Sequence, residues 1–193
     1  MHNYLRLYAV TDRMWIDEKN IKQSFLQLAK DCEQSILGGV TCIQLREKNI
    51  STEDFIEGAK IIQEVTSKYN IPFIINDDVD VALKINADGV HVGQSDIKDG
   101  IISIRKKIDG FGSNKILGVS VQTVEQAIDA EKQGADYLGV GAVFTTSTKT
   151  DAADVSLKTL SDICAAVKIP VVAIGGINKK NILQLCNTGI YGV

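Results

Sequence analysis

Eight short runs of consecutive apolar residues recur along this chain, and they constrain its fold more than any other feature. The runs are Leu5–Val10, Thr41–Leu45, Pro72–Ile75, Gly89–Val92, Ile116–Val119, Tyr137–Val140, Val171–Ile174 and Ile190–Val193. Most are continuous rather than alternating in hydrophobicity. That pattern marks strands buried on both faces, as in a parallel sheet. Parallel neighbours need long crossovers, and the intervening segments have helical spacing over Ile21–Leu37, Thr52–Lys68, Val79–Ile85, Ile101–Ile108, Val124–Lys132, Leu157–Val167 and Lys179–Asn187. Ser51 with Asp54, and Thr123 with Gln126, have the spacing of helix N-terminal caps. Gly134 supplies a helix stop, and Pro72 and Pro170 sit at strand starts, where a missing N–H costs little.

A weak internal repeat supports a barrel. Ala87-Asp88-Gly89-Val90-His91-Val92-Gly93 echoes Ala135-Asp136-Tyr137-Leu138-Gly139-Val140-Gly141, and Gly189-Ile190-Tyr191-Gly192-Val193 begins a third copy. The starts lie about fifty residues apart, two strand–helix units per repeat, as in an eight-unit barrel. The expectation is therefore a single (β/α)₈ TIM barrel over residues 1–193, C-terminally incomplete, with the final helix missing after the eighth strand. Apolar surface left bare around strands one and eight would favour a homo-oligomer.

The net charge of −3 implies no bulk attraction to nucleic acid or anionic membrane. No apolar run approaches the roughly 18 residues of a membrane span, and the N-terminus lacks signal-peptide features, so a cytoplasmic protein is expected. Cys32, Cys42, Cys164 and Cys186 have no metal-type or redox-type spacing and read as core-filling thiols.

Barrel active sites gather at the C-terminal ends of the strands. After the second run, Gln44, Arg46 and Lys48 alternate and would point the same way if the strand persisted, placing two cations where a phosphate or diphosphate could bind. Asp77 follows the third run and Asp96 the fourth, so two carboxylates on adjacent loops can hold magnesium beside substrate phosphate. Turn and helix-cap chemistry is the competing account of the acidic residues, above all for Asp78 and Asp80. Ser120, after the fifth run, reads equally as a helix cap or a ligand contact. Thr146, Ser147, Thr148 and Lys149 form a hydroxyl-rich anion loop or lid. Gly175-Gly176 after the seventh run suits backbone donation to phosphate. His91, within a strand, reads more readily as a satisfied core residue than as a catalyst.

Taken in order, Tyr8-Ala9-Val10-Thr11-Asp12, Gln44-Leu45-Arg46-Glu47-Lys48, Ile75-Asn76-Asp77-Asp78, His91-Val92-Gly93-Gln94-Ser95-Asp96, Gly118-Val119-Ser120, Thr146-Ser147-Thr148-Lys149 and Gly175-Gly176-Ile177 resemble the thiamine-phosphate synthase family over nearly the whole chain. The resemblance implies a magnesium-dependent transferase that joins hydroxymethylpyrimidine diphosphate to hydroxyethylthiazole phosphate and releases pyrophosphate. It implies that Gln44, Arg46, Lys48, Asn76, Ser120 and Lys149 bind the pyrimidine diphosphate. Arg46, Lys48 and Lys149 would be the catalytic cations. Asp77 and Asp96 would hold the metal, and Thr146, Ser147, Thr148 and Gly176 the thiazole phosphate. Ala142 stands where the family commonly has proline. Three other readings compete: a thiazole tautomerase-like isomerase, a phosphate-ligand-binding remnant lacking the eighth loop, and another phosphate-binding barrel isomerase. The first would not need the paired carboxylates or the full Gln44–Lys48 cluster, and the last would carry an acid/base pair.

Overall fold

A computed structural model describes residues 3–17, 19–97, 100–112, 114–145 and 155–193. Seven strands, β1 (Tyr8–Val10), β2 (Cys42–Leu45), β3 (Phe73–Asn76), β4 (Gly89–Val92), β5 (Ile116–Val121), β6 (Tyr137–Val140) and β7 (Val171–Ala173), form one sheet in chain order. Every neighbouring pair is parallel. Residues 191–193 lie between the two edges. Tyr191 N–H donates to Val171 O (2.8 Å) and Ala173 N–H to Gly192 O (3.0 Å). On the other side Tyr8 N–H donates to Val193 O (2.8 Å) and Val193 N–H to Arg6 O (3.2 Å). The anticipated eighth strand is thus a single bridge, Val172 to Gly192, that brings the sheet round into a barrel.

Among the described residues six α-helices connect the strands: α1 (Ile21–Leu37), α2 (Thr52–Lys68), α3 (Val79–Lys84), α4 (Ile101–Asp109), α5 (Val124–Lys132) and α6 (Leu157–Ala166). The anticipated caps form. Ser51 Oγ accepts from Asp54 N–H at 3.1 Å, and Thr123 Oγ1 from Gln126 N–H at 3.2 Å. Among the described residues no helix is long and apolar enough to cross a membrane.

Two further expectations change. The first run is a strand only over Tyr8–Val10, because Asn3–Leu5 winds into a 3₁₀ turn. The helix expected over Lys179–Asn187 is a short 3₁₀ turn, Ile182–Leu185. Local side-chain bonds compete for its backbone. Asn178 N–H donates to Asn181 Oδ1 (2.7 Å), Lys180 N–H to Asn178 Oδ1 (2.9 Å), and both asparagine amides to Gly176 O (3.1 and 2.9 Å).

Strand alternation splits the interior into two cores. Ile43, Leu45, Phe73, Ile75, Val90, Val92, Leu117, Val119, Leu138 and Val140 face the helices, in one cluster with Phe25, Leu28, Ile62, Ile108 and Leu160. The opposite row lines the barrel. Leu5, Tyr137 and Val172 pack there with Tyr4, Tyr8 and Ile116. The repeat has a structural purpose. Asp88, before β4, accepts Phe73 N–H (2.8 Å), and Asp136, before β6, accepts Leu117 N–H (2.7 Å). Each satisfies a backbone donor on the preceding strand. Asp136 also pairs with Arg105 Nη1 at 2.9 Å. Asp136→Ala leaves both donors without that partner and should cost about 1–3 kcal/mol. Denaturant unfolding monitored by circular dichroism measures the loss.

Candidate active site

The barrel carries polar residues in two tiers, one in its interior and one at the rim formed by the loops that follow the strands. In the inner tier the strand register places His91 beside Gly118, and Gly118 beside Tyr137. The hydroxyls and the imidazole form a continuous chain. Gln44 Nε2 donates to Tyr8 Oη (2.8 Å), which bonds Tyr137 Oη (2.7 Å). Tyr137 Oη meets His91 Nδ1 at 2.9 Å, and His91 Nε2 meets Ser120 Oγ at 2.9 Å. Burial pushes both tyrosine hydroxyls well above their ordinary range, and each raises or relieves the other through their shared bond. They are therefore neutral donors and acceptors at physiological pH.

Gly118 makes this packing possible. A Cβ there would lie 2.3 Å from Tyr137 Oη and 2.4 Å from His91 Nδ1. One at Gly139 would lie 2.9 Å from His91 Cε1. Gln94 Nε2 reaches back to Ser120 O at 2.7 Å, tying the loop after β4 to β5.

The outer tier is charged. Asp77 follows β3 with φ +63°, a left-handed conformation that Asp tolerates better than most residues. Its N–H donates to His91 O at 2.7 Å, which pins the turn. That geometry sets the carboxylate next to the loop after β4, where Gly93 N–H donates to Oδ1 at 3.3 Å. Asp96 lies on the other side of Gly93. A Cβ at Gly93 would be 2.8 Å from Asp96 Oδ2 and 4.0 Å from Asp77 Oδ1. Burial and the charge of Asp96 raise the Asp77 carboxyl above its ordinary range. Lys48, Gly93 N–H and Asn76 oppose the shift. Lys48 Nζ lies 3.7 Å from Asp77 Oδ2, and the Asn76 amide donates to the same oxygen. The two carboxylates repel across a gap, and a divalent cation would relieve that repulsion. Among the described residues no group of three or more His, Cys, Asp or Glu side chains could hold a metal, so such an ion would need substrate oxygens or water as well.

Lys48, Asn76, Asp77 and Asp96 line one concavity of about 690 Å³, with Phe55 and Ile104 on its wall. Gln44 and Ser120 lie deeper, on the inner tier. Strand β2 ends at Leu45, so the expected alternation through Lys48 does not continue as strand. Gln44 is buried, Arg46 half-buried and Lys48 exposed. Arg46 N–H donates to Thr11 Oγ1 at 3.0 Å. Among the described residues its guanidinium makes no ion pair. Asp78 is a helix cap, accepting Val81 N–H at 2.8 Å, and Asp80 pairs with Lys107 at 2.6 Å. Gly176 has φ +65°, and a Cβ there would sit 2.6 Å from Phe144 O and Thr145 O. The glycine turn after β7 thus lies against the loop after β6. Thr146, Ser147, Thr148 and Lys149 fall outside the described residues.

Sequence reasoning missed Tyr8 and Tyr137 as polar members of the site. The available signal was a tyrosine in each of two otherwise aliphatic strands, since a buried hydroxyl demands a partner.

A family model described as thiamine monophosphate synthase matches residues 7–193. The chain is 52% identical over 187 residues to the thiamine-phosphate synthase of Ruminiclostridium cellulolyticum, covering 97% of this chain and 83% of the relative. It is 50% identical over 196 residues to that of Clostridium tetani, covering 100% and 88%. Among solved structures it is similar to thiamine phosphate pyrophosphorylase from Pyrococcus furiosus, with a TM-score of 0.82 and 39% identity over 98% of this chain and 84% of that one.

Gly118→Ala should cost about 1–3 kcal/mol through overpacking against Tyr137 and His91. Chemical denaturation of the purified variant tests this, and an unchanged midpoint would contradict the packing described.

Proposed function

We infer that this chain, which belongs to the thiamine monophosphate synthase family, condenses hydroxymethylpyrimidine diphosphate with hydroxyethylthiazole phosphate. The products are thiamine phosphate and pyrophosphate. The reading is of an enzyme acting in the cytoplasm on small molecules, with no role for nucleic acid or membrane. The single observation that supports its site is the shared rim on which Lys48 lies 3.7 Å from Asp77 and Asp77 faces Asp96 across Gly93.

The reaction needs no protein nucleophile. The bond between the pyrimidine methylene carbon and the diphosphate oxygen breaks, and the departing pyrophosphate takes the electron pair. The methylene cation left behind is stabilised by the electron-rich aminopyrimidine. The thiazole nitrogen then forms the new carbon–nitrogen bond. Lys48, Arg46 and Lys149 are assigned to the leaving group, where fixed positive charge stabilises what develops as the bond breaks. Gln44, Asn76 and Ser120 are assigned to the pyrimidine diphosphate. Thr146, Ser147, Thr148 and Gly176 are assigned to the thiazole phosphate.

Asp77 and Asp96 are the residues that would hold magnesium, and the ion when bound supplies charge neutralisation to the diphosphate. The donor set fits a hard cation, since both side chains offer carboxylate oxygens and both stand beside a space large enough for phosphate. Asn76 and Gly93 fix the Asp77 carboxylate in place through their bonds to its two oxygens. Lys48, on the same oxygen as Asn76, is poised to exchange Asp77 for the diphosphate.

The assay is direct. Both substrates are incubated with the protein and magnesium, and pyrophosphate and thiamine phosphate are measured. Product is expected, and its absence would refute the assignment. Asp77→Asn is the sharper test of the metal site, because Asn also tolerates the left-handed backbone. It should lower kcat/KM by about 10²–10³ with the fold kept, as should Lys48→Ala. Chelation of magnesium should stop turnover of the parent protein, and restored magnesium should recover it.

A further inference from the structure

The inner hydrogen-bond chain has a direction. An amide NH₂ only donates, so Tyr8 Oη accepts from Gln44. Each phenol has one proton. Two directions are possible, and each leaves one hydroxyl proton without an oxygen or nitrogen acceptor inside the chain: that of Ser120 in one, and that of Tyr8, with only the Cys42 thiol beside it, in the other. The first is favoured, because it places the spare proton at an end that a ligand can reach rather than on a buried phenol. Tyr8 donates to Tyr137, and Tyr137 donates to His91 Nδ1. His91 then carries its proton on Nε2 and donates to Ser120 Oγ. This leaves two groups at the open end. Gln44 Oε1 is an acceptor, and the Ser120 hydroxyl proton is a donor. Among the described residues neither is used by another bond. They project from β2 and β5, on different walls of the barrel. Tyr137 is the middle member of this chain, and its side chain is fully buried.

We propose that Tyr137 is a positioning residue for the pyrimidine substrate. Its hydroxyl fixes the Gln44 amide carbonyl-outward through Tyr8, and holds His91 in the Nε2–H tautomer so that Ser120 must donate outward. A planar heteroaromatic ring entering between these walls is then met by an acceptor on one side and a donor on the other. An exocyclic amine and a ring nitrogen, as on an aminopyrimidine, satisfy both. A ring with the reverse pattern leaves both groups unpaired, which is where discrimination is largest. Tyr137 does not touch the ligand in this account. It acts through residues two bonds away on either side. The choice of ligand rests on the reaction assigned above, whereas the direction of the chain does not.

Two measurements test this. The chain has two histidines, His2 and His91. A His2→Ala background leaves a single imidazole for side-chain ¹⁵N NMR. The His2→Ala protein should show the Nε2–H tautomer, and adding Tyr137→Phe should give a mixture, because Nδ1 loses its donor. An Nδ1–H tautomer in the His2→Ala protein, or no change on substitution, overturns the proposal. In steady-state kinetics Tyr137→Phe should raise KM for the pyrimidine diphosphate about tenfold, the worth of one mispositioned polar contact. The KM for the thiazole phosphate should stay within about twofold. Equal effects on both substrates, or none, count against a positioning role. Tyr8→Phe breaks the chain one link earlier and should give the same split, which keeps the proposal testable if Tyr137→Phe does not fold. A protein that makes no thiamine phosphate would defeat the assigned reaction, yet the tautomer measurement needs no turnover and still decides the direction of the chain.

Discussion

A parallel sheet curled into a barrel presents one residue in two to the helices, and everything distinctive about this molecule depends on what occupies the other row. The outward row is apolar and supplies the main core. Its burial, worth roughly 25 cal/mol per Å² of apolar surface, can hold the fold with little help from the inward row. The inward row is therefore free to be polar. It is apolar only toward the N-terminal ends of the strands, where Leu5, Val172 and Ile116 close the bottom of the barrel. Above that plug it becomes Gln44, His91, Ser120 and the two tyrosine hydroxyls. A binding site follows from that gradient, because the barrel is sealed below and hydrogen-bonding above.

The rim follows from the same scaffold by different physics. Strands β3 and β4 are adjacent, so the loops that follow them are adjacent, and Asp77 and Asp96 meet although nineteen positions separate them in sequence. Their repulsion is an electrostatic cost that structural stability does not require. Lys48 offsets part of it from the loop after β2, on the other side of β3. The arrangement is poor as a salt bridge, being largely exposed at the lysine. It makes sense as a receptor for a species that brings both positive and negative charge, such as a metal-bound diphosphate.

Much of this was legible in the sequence, for a reason that particular elements make clear. Helices α1, α2 and α5 begin and end where their spacing predicts, and Ser51 and Thr123 determine the starts of α2 and α5 locally. The juxtaposition of Asp77 with Asp96 was legible because strand order in a barrel is chain order. Lys179–Asn187 failed because helical spacing is silent about side chains that seize the backbone, as Asn178 and Asn181 do. The inner chain failed for a deeper reason. Tyr8 and Tyr137 are 129 positions apart, and no local pattern says that their hydroxyls will meet across the barrel.

That chain also bears on why the interior is polar at all. Apolar side chains of similar volume would fill the same space without needing partners, and replacing buried polar groups in this way often costs nothing in stability. A hydrogen-bonded interior is costly unless every member is satisfied. Here the internal links are complete from Gln44 to Ser120, and the two groups left over stand at the ends that open toward the rim. Such a row contributes little that the outward core does not already supply. What it adds is orientation, an acceptor and a donor held in fixed places beneath a charged rim. An arriving molecule must match the inner pair with its ring and the outer tier with its phosphates. Selection by both tiers together is stricter than selection by either, since a phosphate alone satisfies only the rim and a ring alone only the interior.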